Sequence, residues 1–236
     1  TQKAKKTPHQ LVMTATPIPR SLTMSAYADL DTSVIDELPP GRQPVETVAL
    51  SNSRRDELIG KIRKISDEGR QIYWVCTLIE ESDALRAESA EKTFNYLSSN
   101  LEDLKVVMIH GRLTKPEKDA IMSAFAQGNI NLLVATTVIE VGVNVPNASL
   151  MIVENSERLG LAQLHQLRGR VGRGSEKSIC ILMYQSPLSD NAKQRLEVLR
   201  QSNDGFMIAQ KDLELRGPGE ILGTQQTGIA SMKIAN

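Results

Sequence analysis

The sequence predicts an α/β fold in which a parallel β-sheet is covered by helices on both faces. Short, continuous apolar runs rich in β-branched residues recur along the 236 residues, and their length suits strands buried on both sides. Stretches of helical length, with apolar residues three and four positions apart, lie between most of these runs. Strands that alternate with helices in this way are typical of a parallel sheet.

The first predicted elements enclose a proline-rich linker. In order, they are strand 10–15, helix 19–30, linker 36–46, strand 45–50 and helix 53–69. In the last of these helices, Leu58, Ile62 and Ile65 recur at helical spacing and define one apolar face. Ser53 is the candidate N-cap of that helix, because its hydroxyl can accept from a free backbone N–H.

The later elements repeat the alternation and then change character after residue 186. In order, they are strand 71–76, helix 83–99, strand 106–110, a helix from Thr114, strand 130–136, strand 149–155, a helix from Leu161, strand 178–184 and helices 192–201 and 206–215. Thr114 and Glu117 have the spacing of a capping box. Glycines and a proline after residue 216 end the helical pattern.

The composition is that of an ordinary globular protein. Lys plus Arg and Asp plus Glu number 28 each, so the net charge is zero and any anion site must come from a local arrangement. Cys76 and Cys180 lie in apolar runs and are predicted to be reduced core residues. No apolar run approaches the roughly 18 residues that span a bilayer. From the character of its two ends, we expect the chain to belong to a longer protein.

Two loops that follow predicted strands carry residues suited to ligand binding, since ligands of open α/β sheets bind at the carboxyl ends of the strands. Residues 14–20, TATPIPR, form either a rigid strand-to-helix connection or part of a site. In residues 132–148, Thr136 and Thr137 can hold a phosphate oxygen, and Gly142 permits close backbone approach. The alternative is an ordinary strand, turn and short helix.

The stretch QLHQLRGRVGRG, residues 163–174, is the strongest candidate for an anion site. If it is helical throughout, Gln166, Arg170 and Arg173 share one face, and Arg168 points elsewhere. The apolar face would consist of Leu164, Leu167 and Val171. Two arginine guanidinium groups on one face suit a polyphosphate, and the glycines at 169 and 172 would leave space beside that ligand. The alternative is a basic helix end that complements the helix dipole.

Four segments together resemble the later motifs of superfamily 2 helicases, in the order that the family shows them. They are TATP, HGRL at 110–113, ATTVIEVGVNVP and QLRGRVGR. The resemblance implies a RecA-like parallel sheet flanked by helices, the C-terminal lobe of a motor whose two lobes close on ATP. It also implies that Arg170 and Arg173 are arginine fingers, with Gln166, Gly142 and Asn144 as nucleotide contacts.

The resemblance further implies which residues contact DNA. These are Thr136, Thr137, His110 and Gly111, although a lone histidine after a strand is also often structural. Many relatives carry Asp where this chain has Asn144; Asn can still contact a ribose but cannot form a salt bridge to a finger arginine.

The segment 195–228 is similar to the translocation motif shared by RecG branch-migration helicases and the transcription-repair coupling factor Mfd. In that family a C-terminal helical hairpin and its following loop link nucleotide state to movement on duplex DNA. The implied coupling residues of this motif are Arg195, Arg216 and Gln226. Thr14 and Thr16 are coupling residues by a separate resemblance, that of TATPIPR to the motif at the end of the first lobe that couples nucleotide to nucleic acid. The stretches AYADLDTSVIDELPPGRQPV and VCTLIEES, together with Pro218, resemble RecG more than Mfd.

The sequence contains neither a GxxxxGK(S/T) phosphate loop nor a DExH-type acidic pair, which such motors need for ATP and Mg²⁺. We therefore expect a C-terminal part of an ATP-dependent DNA helicase that hydrolyses no ATP and binds no cofactor by itself. The expected division is the end of the first lobe and a linker at 1–44, the second lobe at 45–186 and the hairpin and loop at 187–236.

The intact parent would remodel stalled forks and Holliday junctions, by branch migration and fork regression, in recombination and repair. Its expected partners are branched duplex DNA and, within the same chain, a first helicase lobe and a wedge domain, with no membrane partner. The expected location is the bacterial cytoplasm, at the nucleoid. Two alternatives are an Mfd-like translocase that acts with RNA polymerase and a non-catalytic lobe that binds nucleic acid or protein.

Overall fold

Six strands and six helices make up the part of the chain that the computed structural model describes, residues 33, 35, 37, 41–77, 83–136, 145–174 and 176–216. The strands are β1 Glu46–Ser51, β2 Gln71–Cys76, β3 Val106–Ile109, β4 Leu132–Thr136, β5 Ala148–Val153 and β6 Ile179–Tyr184. The helices are α1 Arg55–Asp67, α2 Asp83–Asn100, α3 Lys115–Ala126, α4 Leu161–Arg168, α5 Asp190–Gln201 and α6 Gly205–Arg216.

The strands form one sheet in the order β1-β6-β5-β2-β4-β3, and every neighbouring pair is parallel. At its centre, Trp74 of β2 lies beside Val134 of β4 and Ile152 of β5. Every residue of β2 and β5 is buried, which accounts for their continuous apolar sequences. The predicted parallel sheet is therefore confirmed.

Helices cover both faces of the sheet, and alternate residues of each strand point to opposite layers. Tyr73 and Val75 face a core shared with α3, α4, α5 and α6, where Phe125 packs edge-on against Tyr73 at 4.9 Å between ring centroids. Trp74 and Cys76 face the other core, which α1 and α2 complete. The helical hairpin α5–α6 thus contributes to the same core as the sheet, through buried residues such as Leu199 and Ile208.

Helix α1 begins later than the sequence predicted. A short 3₁₀ turn at Asn52–Arg54 precedes it, and the hydroxyl of Ser51, not that of Ser53, accepts a backbone N–H there. Leu58 and Ile62 of its predicted apolar face are almost fully buried. The capping box of α3 is confirmed, since the backbone N–H of Thr114 donates to Glu117 Oε2 at 2.7 Å.

Several predictions concern residues outside those described, namely strand 10–15, helix 19–30 and, within the linker at 36–46, residues 36 and 38–40. Among the described helices, none is long and apolar enough to cross a membrane. Cys76 and Cys180 are free and buried in β2 and β6, as predicted. Burial raises the pKa of both thiols, that of Cys180 to about 12.

Candidate functional site

The helix that opens the arginine-rich stretch ends at Arg168, earlier than the sequence predicted. Gly169 caps it, and its N–H donates to the carbonyl of His165 at 3.0 Å. Gly172 then adopts a φ of +71°, which an L side chain rarely adopts and which no helix continues through. The expectation that Gln166, Arg170 and Arg173 share a helical face is therefore wrong, because both arginines lie beyond the helix.

The glycines of this stretch serve chain packing, and the idea that they clear space beside a ligand is not supported. A Cβ on Gly172 would lie 2.7 Å from Cγ2 of Val45, and one on Gly174 would lie 2.8 Å from the carbonyl oxygen of Pro146. Both glycines let the segment approach neighbouring chain closely. Arg173, which lies between them, is thereby held close to Val45, the residue before β1, and to Pro146.

Three arginines, Arg42, Arg170 and Arg173, form what we call the arginine cluster. Arg42 Nε donates to the carbonyl of Gly172 at 2.9 Å, and Arg173 Nε lies 3.4 Å from the carbonyl of Gly169. Burial and the positive charges of Arg170 and Arg42 lower the pKa of Arg173. Arg173 is exposed, whereas Arg42 and Arg170 are half-buried.

The phenol of Tyr73 interacts electrostatically with two arginines of this cluster. Burial raises its pKa to about 12, although the charges of Arg173 and Arg170 act in the opposite direction. The buried phenol therefore stays neutral and does not compensate the charge of the two guanidinium groups. Tyr73 is a core residue.

The arginine cluster has no carboxylate partner among the described residues. Other arginines of this part of the chain do form ion pairs: Arg54, Arg55, Arg63, Arg70, Arg158 and Arg200. Like charges that are brought together without a counter-charge repel one another, more strongly where water is partly excluded. Such an arrangement suits a polyanionic ligand, and arginine forks match phosphate oxygens in geometry.

Arg168 differs from its neighbours because it is buried inside the protein. Its side chain is 3 % exposed, and Nη1 donates to the carbonyls of Leu199 and Ser202 at 2.7 and 2.8 Å. Its Nη2 lies 3.0 Å from Nδ1 of His165. Arg168 therefore ties α4 to the C-terminal end of α5 and is unavailable to a ligand. The predicted apolar face of this helix is buried: Leu164, Leu167 and Val171.

The predicted nucleotide and DNA contacts are only partly described. Gln166 is exposed on α4, and within the described residues no hydrogen bond joins it to the arginine cluster. Thr136 is the last residue of β4, and Gly111 is exposed and accepts from Lys118 Nζ at 2.9 Å. The Nδ1 atom of His110 is buried with no hydrogen-bond partner. The roles assigned to these residues stay predictions.

Among the predicted coupling residues, Arg195 is described in full. Its Nη2 donates to the carbonyl of Glu157 at 2.7 Å, which fixes α5 beside the carboxyl end of β5. Its Nε is buried with no partner. The backbone of Arg216 ends α6, and its side chain lies outside the description, as do the following predicted residues: Thr14, Thr16, Thr137, Gly142, Asn144 and Gln226.

Two features of this region were not predicted. The sequence around Arg42 contains glycine and proline residues, which favoured a linker. Arg42 contacts Gly172, which is distant in the sequence, so no local pattern could predict this contact. Near the carboxyl ends of β2 and β5, buried Glu154 pairs with Arg55 and accepts from Trp74 Nε1 at 2.8 Å. The Arg55 guanidinium lies between the rings of Trp74 and Tyr96, 5.2 and 5.0 Å from their centroids.

The described residues do not provide a metal site. No group of three or more His, Cys, Asp or Glu side chains in this part of the chain is arranged to hold a metal ion. The chemistry that the candidate site offers is thus positive charge and hydrogen-bond donors for an anion.

Comparisons with known proteins were made for families, curated relatives and solved structures. The family of the helicase conserved C-terminal domain matches residues 54–175. The family described as "ATP-dependent DNA helicase RecG, domain 3, C-terminal" matches residues 202–236. The first match contains the whole arginine-rich stretch, and the second contains α6.

Among curated relatives, ATP-dependent DNA helicase RecG of Escherichia coli is 66% identical over 230 residues, which cover 97% of this chain and 33% of the relative. The protein of the same name from Pasteurella multocida is 61% identical over 236 residues, covering 100% of this chain and 34% of the relative. The chain thus spans about a third of the length of these curated relatives.

A solved structure of RecG bound to a three-way DNA junction is 46% identical to this chain, with a TM-score of 0.74. The match covers 88% of this chain and 27% of the other. The predicted fold class is therefore confirmed: a RecA-like parallel sheet flanked by helices, of the helicase C-terminal type, followed by a helical hairpin.

Proposed function

The chain belongs to the RecG family of superfamily 2 helicases, and from that premise we propose that it is the C-terminal motor half of an ATP-dependent translocase on duplex DNA. The observation that carries the proposal is the arginine cluster. Arg42 donates to the carbonyl of Gly172, the residue before Arg173, and the charges of Arg170 and Arg42 act on Arg173, while none of the three has a carboxylate partner in the described part of the chain. A site of this kind is suited to the phosphates of a nucleotide.

ATP, when bound, supplies the γ-phosphoryl group on which negative charge develops during transfer. Arg170 and Arg173 stabilise that charge as arginine fingers. Such fingers typically contribute about 10³–10⁵ in rate. Their backbone segment is held by the contacts of Gly172 and Gly174 and by the buried Arg168, so the forks are positioned before the nucleotide arrives.

The other predicted residues complete this proposal. Gln166, Gly142 and Asn144 contact the nucleotide, and Thr136, Thr137, His110 and Gly111 contact the DNA backbone. The residues that transmit nucleotide state to DNA movement are Thr14, Thr16, Arg195, Arg216 and Gln226. Residues 1–44 end the first lobe, residues 45–186 form the second lobe, and residues 187–236 form the translocation hairpin and loop.

The proposal places no metal ligand in the described residues. Because they contain no suitable cluster of carboxylate, histidine or cysteine side chains, we assign them no step with Mg²⁺. The sequence has no phosphate-binding glycine loop, so the first lobe of the longer protein would hold both the phosphates and the metal.

Branched duplex DNA is the proposed substrate, since the similar solved structure is of RecG bound to a three-way junction. Forks and Holliday junctions are branched DNA of this kind, so the activity would serve recombination and repair in the bacterial cytoplasm, at the nucleoid. A first lobe and a wedge domain of the same protein would be its partners. The relatives named RecG favour this reading over an Mfd-like translocase.

The test uses the full-length protein with Arg170→Ala. We expect kcat for DNA-stimulated ATP hydrolysis to fall about 10³-fold or more, because the developing charge loses its partner. The affinity for a three-way junction should be unchanged. Arg63→Ala is the matched control, since Arg63 is an exposed arginine of α1 that pairs with Asp103 outside the arginine cluster, and this variant should hydrolyse ATP normally.

A normal kcat in Arg170→Ala would show that Arg170 is not a finger. If full-length protein of native sequence binds junctions but hydrolyses no ATP at all, the lobe belongs to a non-catalytic binding protein and the proposed function is wrong.

A further inference from the structure

Arg42 precedes β1 and is joined by one hydrogen bond to residues 170–173, which we call the finger segment. Its Nε donates to the carbonyl of Gly172 at 2.9 Å in a partly buried environment. Within the described residues, its two terminal amino groups make no hydrogen bond and no ion pair. The terminal amino groups of Arg42 are therefore available to a ligand, in contrast to Nη1 of Arg168, which donates to the carbonyls of Leu199 and Ser202.

The position of Arg42 relative to the fingers is fixed by packing. Gly172 has a positive φ and no room for a Cβ, since that atom would be 2.7 Å from Cγ2 of Val45. The chain three residues after Arg42 therefore lies against the residue that precedes Arg173. The guanidinium of Arg42 can rotate about its Nε contact, but the backbone of Arg42 cannot move away from Arg170 and Arg173.

The charges of these residues also act on one another. Burial, then the charges of Arg170 and Arg42, lower the pKa of Arg173, while Tyr73 acts in the opposite direction. No carboxylate in the described part of the chain pairs with any of the three arginines. The repulsion would be relieved by removing one charge, or by a ligand that carries several negative charges close together.

We propose that Arg42 is a third phosphate-binding arginine of the nucleotide site, with its Nε held by Gly172 and its terminal amino groups directed to the same polyphosphate that Arg170 and Arg173 contact. The proposal rests on the proposed function, because it needs the arginine cluster to be a nucleotide site. It assigns a ligand contact to the segment that leads into the sheet. Nucleotide would then hold this segment and the finger segment together.

The chemistry of glutamine offers a sharp test. In Arg42→Gln, the amide Nε2 stands at the same point along the side chain as arginine Nε, so the bond to Gly172 can form while the charged fork is lost. Arg42→Met removes both. Arg63→Gln is the matched control, because Arg63 also donates to a backbone carbonyl, that of Asn100 at 2.8 Å, and lies outside the cluster.

The experiment measures KM for ATP, kcat and thermal midpoint for the full-length variants. For Arg42→Gln we expect an unchanged thermal midpoint and a KM raised about 10- to 100-fold, the usual effect of losing a charge-assisted contact to phosphate. Arg42→Lys keeps a charge without the fork and should fall between Arg42→Gln and the native protein. Arg63→Gln should match the native protein in all three quantities.

A native KM in Arg42→Gln together with a lowered thermal midpoint in Arg42→Met would overturn the inference and leave Arg42 as a structural residue. Parallel assays of Arg170→Ala separate this outcome from failure of the proposed function. If Arg170→Ala is inactive and Arg42→Gln is normal, only the inference is wrong. If Arg170→Ala is normal, the cluster is not a nucleotide site and both statements are wrong.

Discussion

At the scale of single residues, the arginine-rich stretch divides into groups with opposite environments. The guanidinium of Arg168 is buried and donates to carbonyls at the end of α5, whereas Arg170, two positions later, has no carboxylate partner among the described residues. Helical spacing already directed Arg168 away from Arg170 and Arg173, but it could not show that Arg168 is buried or that the other two lie beyond the helix. The separation arises where Gly169 ends the helix and redirects the chain.

The hydrogen bond from Arg168 determines the tautomer of His165. A guanidinium can only donate, so Nδ1 of His165 accepts from Arg168 Nη2 at 3.0 Å and the neutral ring carries its proton on Nε2. Burial, followed by the charge of Arg168, lowers the pKa of His165, while Asp204 acts in the opposite direction. Protonation of His165 would place two positive groups against each other inside the protein.

Stability should therefore fall in weakly acidic solution. The unfolded chain takes up this proton near pH 6.5, whereas folded His165 takes it up only at lower pH. Between these two points the unfolded state binds more protons, so the free energy of unfolding decreases as the pH falls below about 6.5. The decrease from this group ends below the folded pKa. Urea unfolding of the chain at pH 7.5 and 5.5 measures the effect.

The control variant is His165→Asn, whose Oδ1 can accept from Arg168 but does not titrate. It should lose less stability than the native chain between the two pH values. An identical loss in both proteins would show that another group causes the pH dependence.

At the scale of elements, the strands were predictable and the ends of helices were less so. Runs such as 71–76 are buried on both faces, so composition alone identifies them. The end of α4 depends on the capping role of Gly169 and on the contact of Gly172 with Val45, which is distant in the sequence. A local sequence pattern carries no information about such a contact. Arg42 went unnoticed for the same reason, since its partner Gly172 is also remote.

A second element-scale feature joins the α1–α2 layer to the sheet. Glu154, directly after β5, pairs with Arg55 of α1, accepts from Trp74 of β2 and lies 3.4 Å from Thr93 Oγ1 of α2. The carboxylate is 10% exposed and the Arg55 side chain 31%. One side chain therefore satisfies donors from three elements in a region where water is largely excluded.

Removal of this carboxylate should destabilise the protein markedly. Glu154→Ala leaves the charge of Arg55 and the indole N–H of Trp74 without their acceptor. We expect the free energy of unfolding to fall by about 2–4 kcal/mol, somewhat less than for a fully buried pair because Arg55 is partly solvated. Urea unfolding checks the value.

Glu57→Ala is the matched control, since Glu57 pairs with Arg54 at 2.7 Å on the surface, and it should unfold like the native chain. Equal losses in both variants would contradict the assignment.

At the scale of the whole molecule, the sheet and its two helix layers form a framework on which the arginine cluster is displayed. The net charge of zero gives no general attraction for phosphate, so the proposed anion site depends on three arginines, Arg42 and the two of the segment 170–173. The hairpin α5–α6 packs into the same core as α4, which precedes the arginine-rich segment, and is tied to α4 through Arg168. A displacement of the finger segment would therefore act on the hairpin directly.

The last prediction concerns the 236-residue chain assayed alone. Arginine fingers stabilise charge on a phosphate that other residues hold, and the sequence contains no phosphate-binding glycine loop to hold it. We therefore expect the purified chain to hydrolyse ATP no faster than buffer, with or without a three-way junction. The matched control is the chain carrying Arg170→Ala and Arg173→Ala, prepared identically, which reports contaminating activity. If the native chain shows DNA-stimulated hydrolysis and the double variant does not, the chain contains a complete site and the division of labour between two lobes is wrong. If both show the same low activity, the activity comes from a contaminant and the prediction is confirmed.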